Sequence, residues 1–392
     1  MKKLVMLSNP LVTYGGGERW LLETASLLKD KLEITILNPV SDIDVKRIKI
    51  KDIKKHYDIS GINIVDLKCK GKNTTFPGFG SFIRMIPSIE SKQKLELIIK
   101  ECDVVYAVSA NPYLLMLCIR LAKKYNKKMI FGLHNPEFIR HVNDTDKISR
   151  RMSVNIYNIL QKKLIESIGN VHVQTKSQVK RLLDIGYSGK VYYVPNYLYK
   201  NIVLKNENAH KKFVVLFVGR LIVKHKGIDL FEKIVDNVLS TCDKIEFRVI
   251  GSGSEGKQII NGLKNRHGAN FVVLGFLSEE KLEKEYLGAD LFVLTSRYEN
   301  PGLSLLEAQA HGLPVVAFGV PGPKDIVKKN FQGILIKPFD TERFAKGILK
   351  YYVCKNQNDR KFSIIKARIY NEIKRRYDKQ KFINDFMKMI VD

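Results

Sequence analysis

Acidic side chains are scarce in this 392-residue sequence: Asp and Glu number 40 against 67 Lys and Arg, a formal net charge of +27. That balance points to an anionic partner, whether nucleic acid, an acidic membrane face or a phosphorylated substrate, and does not choose among them. Cysteine is scarce too, with five residues at 69, 102, 118, 242 and 354 and no C-x-x-C. An odd, scattered set argues against a disulfide framework or a structural zinc site and reads as buried thiols in a reducing compartment. No apolar run approaches the about 18 residues of a membrane span, and the run Leu4 to Leu7 is too short for a signal peptide. The expectation is a cytoplasmic protein, soluble or peripheral at the inner face of the membrane. Gly15-Gly16-Gly17 lacks the Gly-Lys-Ser/Thr of a P-loop. With no zinc-finger spacing, KH loop or RNP-type aromatic motif, nucleic acid has no recognition module here.

What is present is core material, 45% hydrophobic residues in a chain whose length fits two domains. Short apolar runs at 4–7, 34–37, 62–67, 104–108, 129–133 and 171–174 alternate with helical patterns such as 20–28 and 112–124. A second series lies at 191–194, 213–218, 246–250, 272–274, 291–294, 315–318 and 334–336. Such alternation predicts parallel sheets covered on both faces. A polar stretch over 196–212 divides the series, so the expected class is α/β: two doubly wound, Rossmann-like domains facing across a cleft. The basic helical segment 366–392 is expected to cross back onto the first domain.

Ligands of parallel sheets bind at the carboxyl ends of strands, beside helix N-termini. Gly15-Gly16-Gly17 follows the first strand and can bring backbone N–H groups to an anion. Gly219-Arg220-Leu221 ends the strand 213–218, with Lys226-Gly227 one loop later. Arg220 and Lys226 can converge on a phosphate and neutralise a diphosphate as its bond to a sugar breaks; read alone, they fit a solvated basic loop better. Gly251-Ser252-Gly253-Ser254-Glu255-Gly256 spells G-x-G-x-x-G, but the next strand ends in Gly275-Phe276 rather than in an acid, which argues against a dinucleotide fold. The densest signal is 291–318, where Glu299 lies before a helix and Glu307 about two turns inside it. Glu299 can bond sugar hydroxyls and Glu307 a ribose, while Gly302, Leu303 and Ser304 offer N–H groups to a phosphate.

Taken in order, Gly219-Arg220-Leu221 with Lys226-Gly227, Gly251-Ser252-Gly253, Glu299 to Glu307 and Gly312-Leu313-Pro314-Val315-Val316 resemble the retaining, GT-B-fold glycosyltransferases of family 4 across residues 213–340. Gly132-Leu133-His134-Asn135-Pro136 and Val194-Pro195-Asn196 agree more loosely. The chain departs from the family's usual Gly-Phe at Asn300-Pro301, and Val320-Pro321-Gly322-Pro323 is similar to bacterial members that extend polysaccharides or lipid-linked oligosaccharides.

The resemblance implies an acceptor-side domain over 1–198, a donor domain over 199–365 and a returning helix over 366–392. It implies transfer of a hexose or N-acetylhexosamine from a nucleotide-sugar, UDP-linked, to a hydroxyl of a glycan or lipid-linked acceptor, with anomeric configuration kept. Arg220, Lys226 and Glu299 would be catalytic. Gly16, Gly17, His134, Gly219, Gly251, Gly253, Asn300, Pro301, Gly302, Leu303, Ser304 and Glu307 would bind the donor. No cofactor and no metal are expected, although Asp42-Ile43-Asp44 and Asp144-Thr145-Asp146 spell D-x-D. The basic run 46–55, the apolar stretch 76–87 and the pairs Arg150-Arg151 and Lys162-Lys163 suit an anionic membrane surface. A non-catalytic nucleotide-sugar-binding protein and, behind it, a nucleic-acid-binding protein remain the alternatives.

Overall fold

The computed structural model describes residues 1–8, 11, 16–41, 57–76, 80–108, 112–134, 159, 162–199, 202, 204 and 212–392. The chain forms two compact units, Met1–Pro195 with Gln380–Asp392, and Asn196–Lys379.

The first unit is built on eight strands: β1 (Lys2–Leu7), β2 (Leu32–Ser41), β3 (Asn63–Phe76), β4 (Gly80–Pro87), β5 (Val104–Val108), β6 (Lys128–Gly132), β7 (Asn170–Val173) and β8 (Lys190–Tyr193). Their order is β4-β3-β2-β1-β5-β6-β7-β8. All neighbours are parallel except β3 and β4, which pair antiparallel from Cys69↔Pro87 to Phe76↔Gly80. β4 corrects the sequence reading: much of the apolar stretch 76–87 is an edge strand, because successive residues can satisfy their backbone groups along β3. The basic run 46–55, both D-x-D strings and Arg150-Arg151 lie outside the described residues.

The second unit has six parallel strands: β9 (Phe213–Val218), β10 (Ile245–Ile250), β11 (Phe271–Gly275), β12 (Leu291–Leu294), β13 (Val315–Phe318) and β14 (Gly333–Ile336). Their order is β11-β10-β9-β12-β13-β14. The direction of strand addition reverses between β9 and β12, the place at which doubly wound sheets bind ligands. The helix Ile228–Leu239 shows why the layer holds. Ile228, Phe231, Ile234, Val235 and Val238 form one buried stripe at helical spacing, and Phe231 meets Phe217 of β9 with ring centroids 4.9 Å apart.

The return to the first unit begins at Gln380 rather than at 366. Helix Asp359–Arg376 buries Ile369 and Ile373 in the second unit's core, and the Arg376 guanidinium donates to the carbonyls of Ile326 and Asp325 at 2.7 and 2.9 Å. Helix Lys379–Val391 does join the first unit. Phe386 meets Trp20, Tyr106 and His172 at centroid distances of 6.3, 5.6 and 6.1 Å. Lys128 Nζ donates to Met389 O at 2.6 Å, placing a cation where the helix dipole favours one. Among the described residues no helix is long and apolar enough to cross a membrane.

Candidate active site

Two loops at the reversal point of the second sheet bring the sequence-predicted residues together. The β9 loop turns at Gly219, whose N–H donates to Ile250 O at 3.0 Å, while Leu221 N donates to Ser252 O at 3.0 Å. Close approach of these backbones makes glycine obligatory. A Cβ on Gly251, which has φ +133°, would lie 1.9 Å from Gly219 O, and one on Gly253 would lie 2.6 Å from Leu221 O. Gly219 itself leaves room for the Lys226 stem, 3.4 Å from where a Cβ would stand.

Lys226 and Glu299 are buried and paired: the ammonium donates to Glu299 Oε1. Ser296 Oγ donates to the same oxygen at 2.7 Å, and His225 Nε2 lies 4.0 Å from it. Burial pushes the Glu299 carboxyl up, but Lys226 and His225 outweigh it and hold the group below its ordinary 4.5. Among the described residues nothing donates to Oε2. An ammonium has three donors, so Lys226 can hold Glu299 and still reach an anion. Arg220 is exposed, and no hydrogen bond or ion pair engages its side chain among the described residues. A free guanidinium thus stands one loop from a buried, carboxylate-anchored ammonium, an arrangement suited to a diphosphate.

The site also rests on residues that the sequence motifs do not include. Arg297 clamps Asp229 through two bonds of 2.8 and 2.7 Å and donates to Val223 O at 2.6 Å. Thr295 Oγ1 donates to Lys226 O at 2.8 Å, and His225 stacks on Tyr298 at 4.3 Å. Each ties the β9 loop to the β12 loop, and no sequence spacing announces pairs so far apart. Asn300 and Pro301 continue the β12 loop, and Gly302 (φ +92°) caps helix Leu303–Ala310. Leu305 and Leu306 donate to Gly302 O, which leaves the N–H groups of Leu303 and Ser304 in the first turn without intrahelical acceptors. Glu307, inside that helix, accepts from the Tyr286 hydroxyl at 3.1 Å. Tyr286 in turn stacks on His311 at 4.9 Å. No motif or spacing singles out Tyr286 either.

The remaining predicted residues belong to the first unit. Gly16 and Gly17 open helix Gly16–Leu28, and a Cβ on Gly17 would meet nothing within 4 Å, so no steric demand keeps glycine there. His134 follows β6. Its Nε2 lies 2.9 Å from the Tyr106 hydroxyl and its Nδ1 3.0 Å from Gln174 Nε2. The imidazole expected to bind the donor is thus internally bonded at both nitrogens. Among the described residues no three metal-ligating side chains gather.

Residues 200–368 match the family model described as glycosyl transferases group 1. An uncharacterized 41.2 kDa protein in the cps region of Klebsiella pneumoniae is 26% identical over 278 residues, 67% of this chain and 74% of that protein. The poly(ribitol-phosphate) alpha-N-acetylglucosaminyltransferase of Staphylococcus aureus is 28% identical over 200 residues, 48% of this chain and only 38% of the relative. Among solved structures, the HepE protein of Anabaena in complex with UDP-glucose superposes with a TM-score of 0.71 at 16% identity, covering 100% of both chains. The fold is therefore GT-B.

Proposed function

From a GT-B chain whose residues 200–368 match the group 1 glycosyl transferases, we propose a retaining, metal-independent family 4 enzyme. It moves a hexose or N-acetylhexosamine from a UDP-sugar to a hydroxyl of a glycan or lipid-linked acceptor in bacterial surface polysaccharide synthesis. The observation that carries this reading is the Lys226–Glu299 pair beside unengaged Arg220 at the reversal point of the second sheet. The UDP-glucose complex of the HepE protein and the cps region of the Klebsiella relative support it.

As the bond from the anomeric carbon to the diphosphate lengthens, negative charge grows on the leaving oxygen. Arg220 and Lys226 stabilise it in place, without reorganisation at the moment of reaction. Glu299 holds Lys226 through Oε1 and offers Oε2 to a sugar hydroxyl; it orients and takes no proton. Attack from the leaving group's own face lets the departing phosphate oxygen accept the acceptor's proton, so configuration is kept. Glu307 accepts from a ribose hydroxyl, and the helix it belongs to directs its first N–H groups at phosphate. Excess basic charge suits peripheral attachment to an anionic inner leaflet, tested by flotation with anionic vesicles at low salt.

The deciding experiment incubates the purified chain with a panel of UDP-sugars and follows UDP release, then determines the anomeric configuration of any transferred sugar by NMR. Binding without release would make the chain a nucleotide-sugar-binding protein. Inverted configuration would refute the retaining mechanism.

A further inference from the structure

One chain of hydrogen bonds crosses the carboxyl end of the first sheet, and its direction is fixed by its last member. His172 Nε2 lies 2.8 Å from Val194 O. A carbonyl only accepts, so Nε2 carries the proton and Nδ1 is an acceptor. Nδ1 lies 2.5 Å from the Tyr106 hydroxyl, which must donate to it. The Tyr106 oxygen then accepts from His134 Nε2–H at 2.9 Å. His134 Nδ1 is left bare and accepts from the Gln174 side-chain amide at 3.0 Å. The reverse direction fails, because it would set a His172 lone pair against the Val194 carbonyl.

The surroundings are built for this chain. Tyr106 and His172 are fully buried and Gln174 nearly so, while His134 is only half-buried. Trp20 lies 4.0 Å from the His134 ring, centroid to centroid. Glycine is required at 132, where a Cβ would stand 2.4 Å from the Tyr106 hydroxyl and 2.8 Å from the His134 ring. Gln178 holds the backbone on either side, donating to Leu133 O at 2.5 Å and accepting from Gln174 N at 2.9 Å. Burial disfavours a charge on either ring and keeps both imidazoles neutral. Apolar side chains would fill the same space without needing every partner in place, so the arrangement is suited to orienting the one member that solvent reaches.

We propose that Tyr106 and His172 are positioning residues for His134, locking it as the neutral Nε2–H tautomer, so that its Nδ1 lone pair, here accepting from the Gln174 amide, is the ring acceptor a ligand hydroxyl can take over. A ligand hydroxyl bonds there by replacing the Gln174 amide. Such a ring recognises a donor and rejects a phosphate oxygen, which is itself only an acceptor. The class of ligand group is therefore a neutral sugar hydroxyl; this assignment rests on the glycosyltransferase reading, whereas the tautomer lock does not.

Long-range 1H–15N spectra of the full chain labelled with 15N-histidine, with His134 assigned from its absence in His134→Asn, test the lock. The expected spectrum at pH 7 has His134 protonated at Nε2 and bare at Nδ1, and Tyr106→Phe, which keeps the ring, mixes the tautomers. An Nδ1–H signal or an imidazolium in the wild type overturns the proposal. Kinetics on an active UDP-sugar test the positioning: Tyr106→Phe lowers kcat/KM about tenfold, but less than about twofold in a His134→Ala background. Equal losses in both backgrounds overturn the positioning role. A chain that turns over no UDP-sugar removes the glycosyltransferase reading, and the spectra still decide the lock.

Discussion

Lys226 and Glu299, 73 positions apart in sequence, meet as a buried ion pair that joins the β9 loop to the β12 loop. The pair makes the two cations of the site unequal. Arg220 is exposed and unengaged, whereas Lys226 is part of the architecture.

Substituting Lys226 by Ala strands a buried carboxylate, and removing one partner of such a pair costs about 3–5 kcal/mol. Lys226→Ala should therefore lower both activity and stability, with much of the stability recovered in Lys226→Met/Glu299→Leu. Denaturant melts of the three chains check this; equal midpoints for wild type and Lys226→Ala would refute it.

Arg220→Ala removes a cation from solvent rather than from the core. Turnover of an active UDP-sugar should fall by about two to three orders of magnitude, as for loss of a transition-state donor, with the thermal midpoint unchanged. Kinetics beside a thermal melt separate the two cations: Lys226→Ala moves both readings and Arg220→Ala only the first.

His172 confers a pH dependence of stability on the first unit. Burial lowers its pKa from an ordinary 6.5 to about 4, so the unfolded chain binds a proton that the folded one refuses. The stability this represents is full above pH 6.5 and lost as pH falls toward 4, on the order of 3 kcal/mol. Hydrogen exchange at the amides of β5, β6 and β7 should speed up across that interval in the wild type and respond less in His172→Asn.

Glycines differ sharply in what they tolerate. Gly227 has φ +66°, and a Cβ there would lie 2.3 Å from Thr295 O, whereas Gly268 has φ +51° with nothing within 4 Å. Gly268→Ala should cost about 1–2 kcal/mol, from the positive φ alone. Gly227→Ala must also part the β9 and β12 loops and should cost clearly more. Urea titration of both variants ranks them.

Tyr286→Phe deletes the hydroxyl that bonds Glu307 and keeps the ring stacked on His311. Donor affinity should fall about tenfold, the worth of one hydrogen bond to a charged group at the low end, with kcat little changed. Calorimetric titration with UDP measures the first and steady-state kinetics the second.

Much of this molecule is legible in the residues alone. Strands β5, β9, β12 and β13 coincide with apolar runs and β1 and β10 contain them, because a strand buried on both faces is apolar. The glycines at 219, 251 and 253 and the acids at 299 and 307 follow those runs, where parallel sheets gather ligands. Tertiary structure decides the rest. The apolar stretch that holds β4 does not by itself announce a strand, which exists because β3 offers it an edge. Pattern alone sends residues 366–379 to the wrong unit, because their basic surface says nothing about where Ile369 and Ile373 are buried. The partners of Glu299, the clamp of Arg297 on Asp229, and the chain from Gln174 through His134 to Val194 all join residues distant along the backbone. Pattern along a sequence reports local burial; which donor faces which acceptor depends on how the strands are ordered in the sheet, and only the folded chain contains that order.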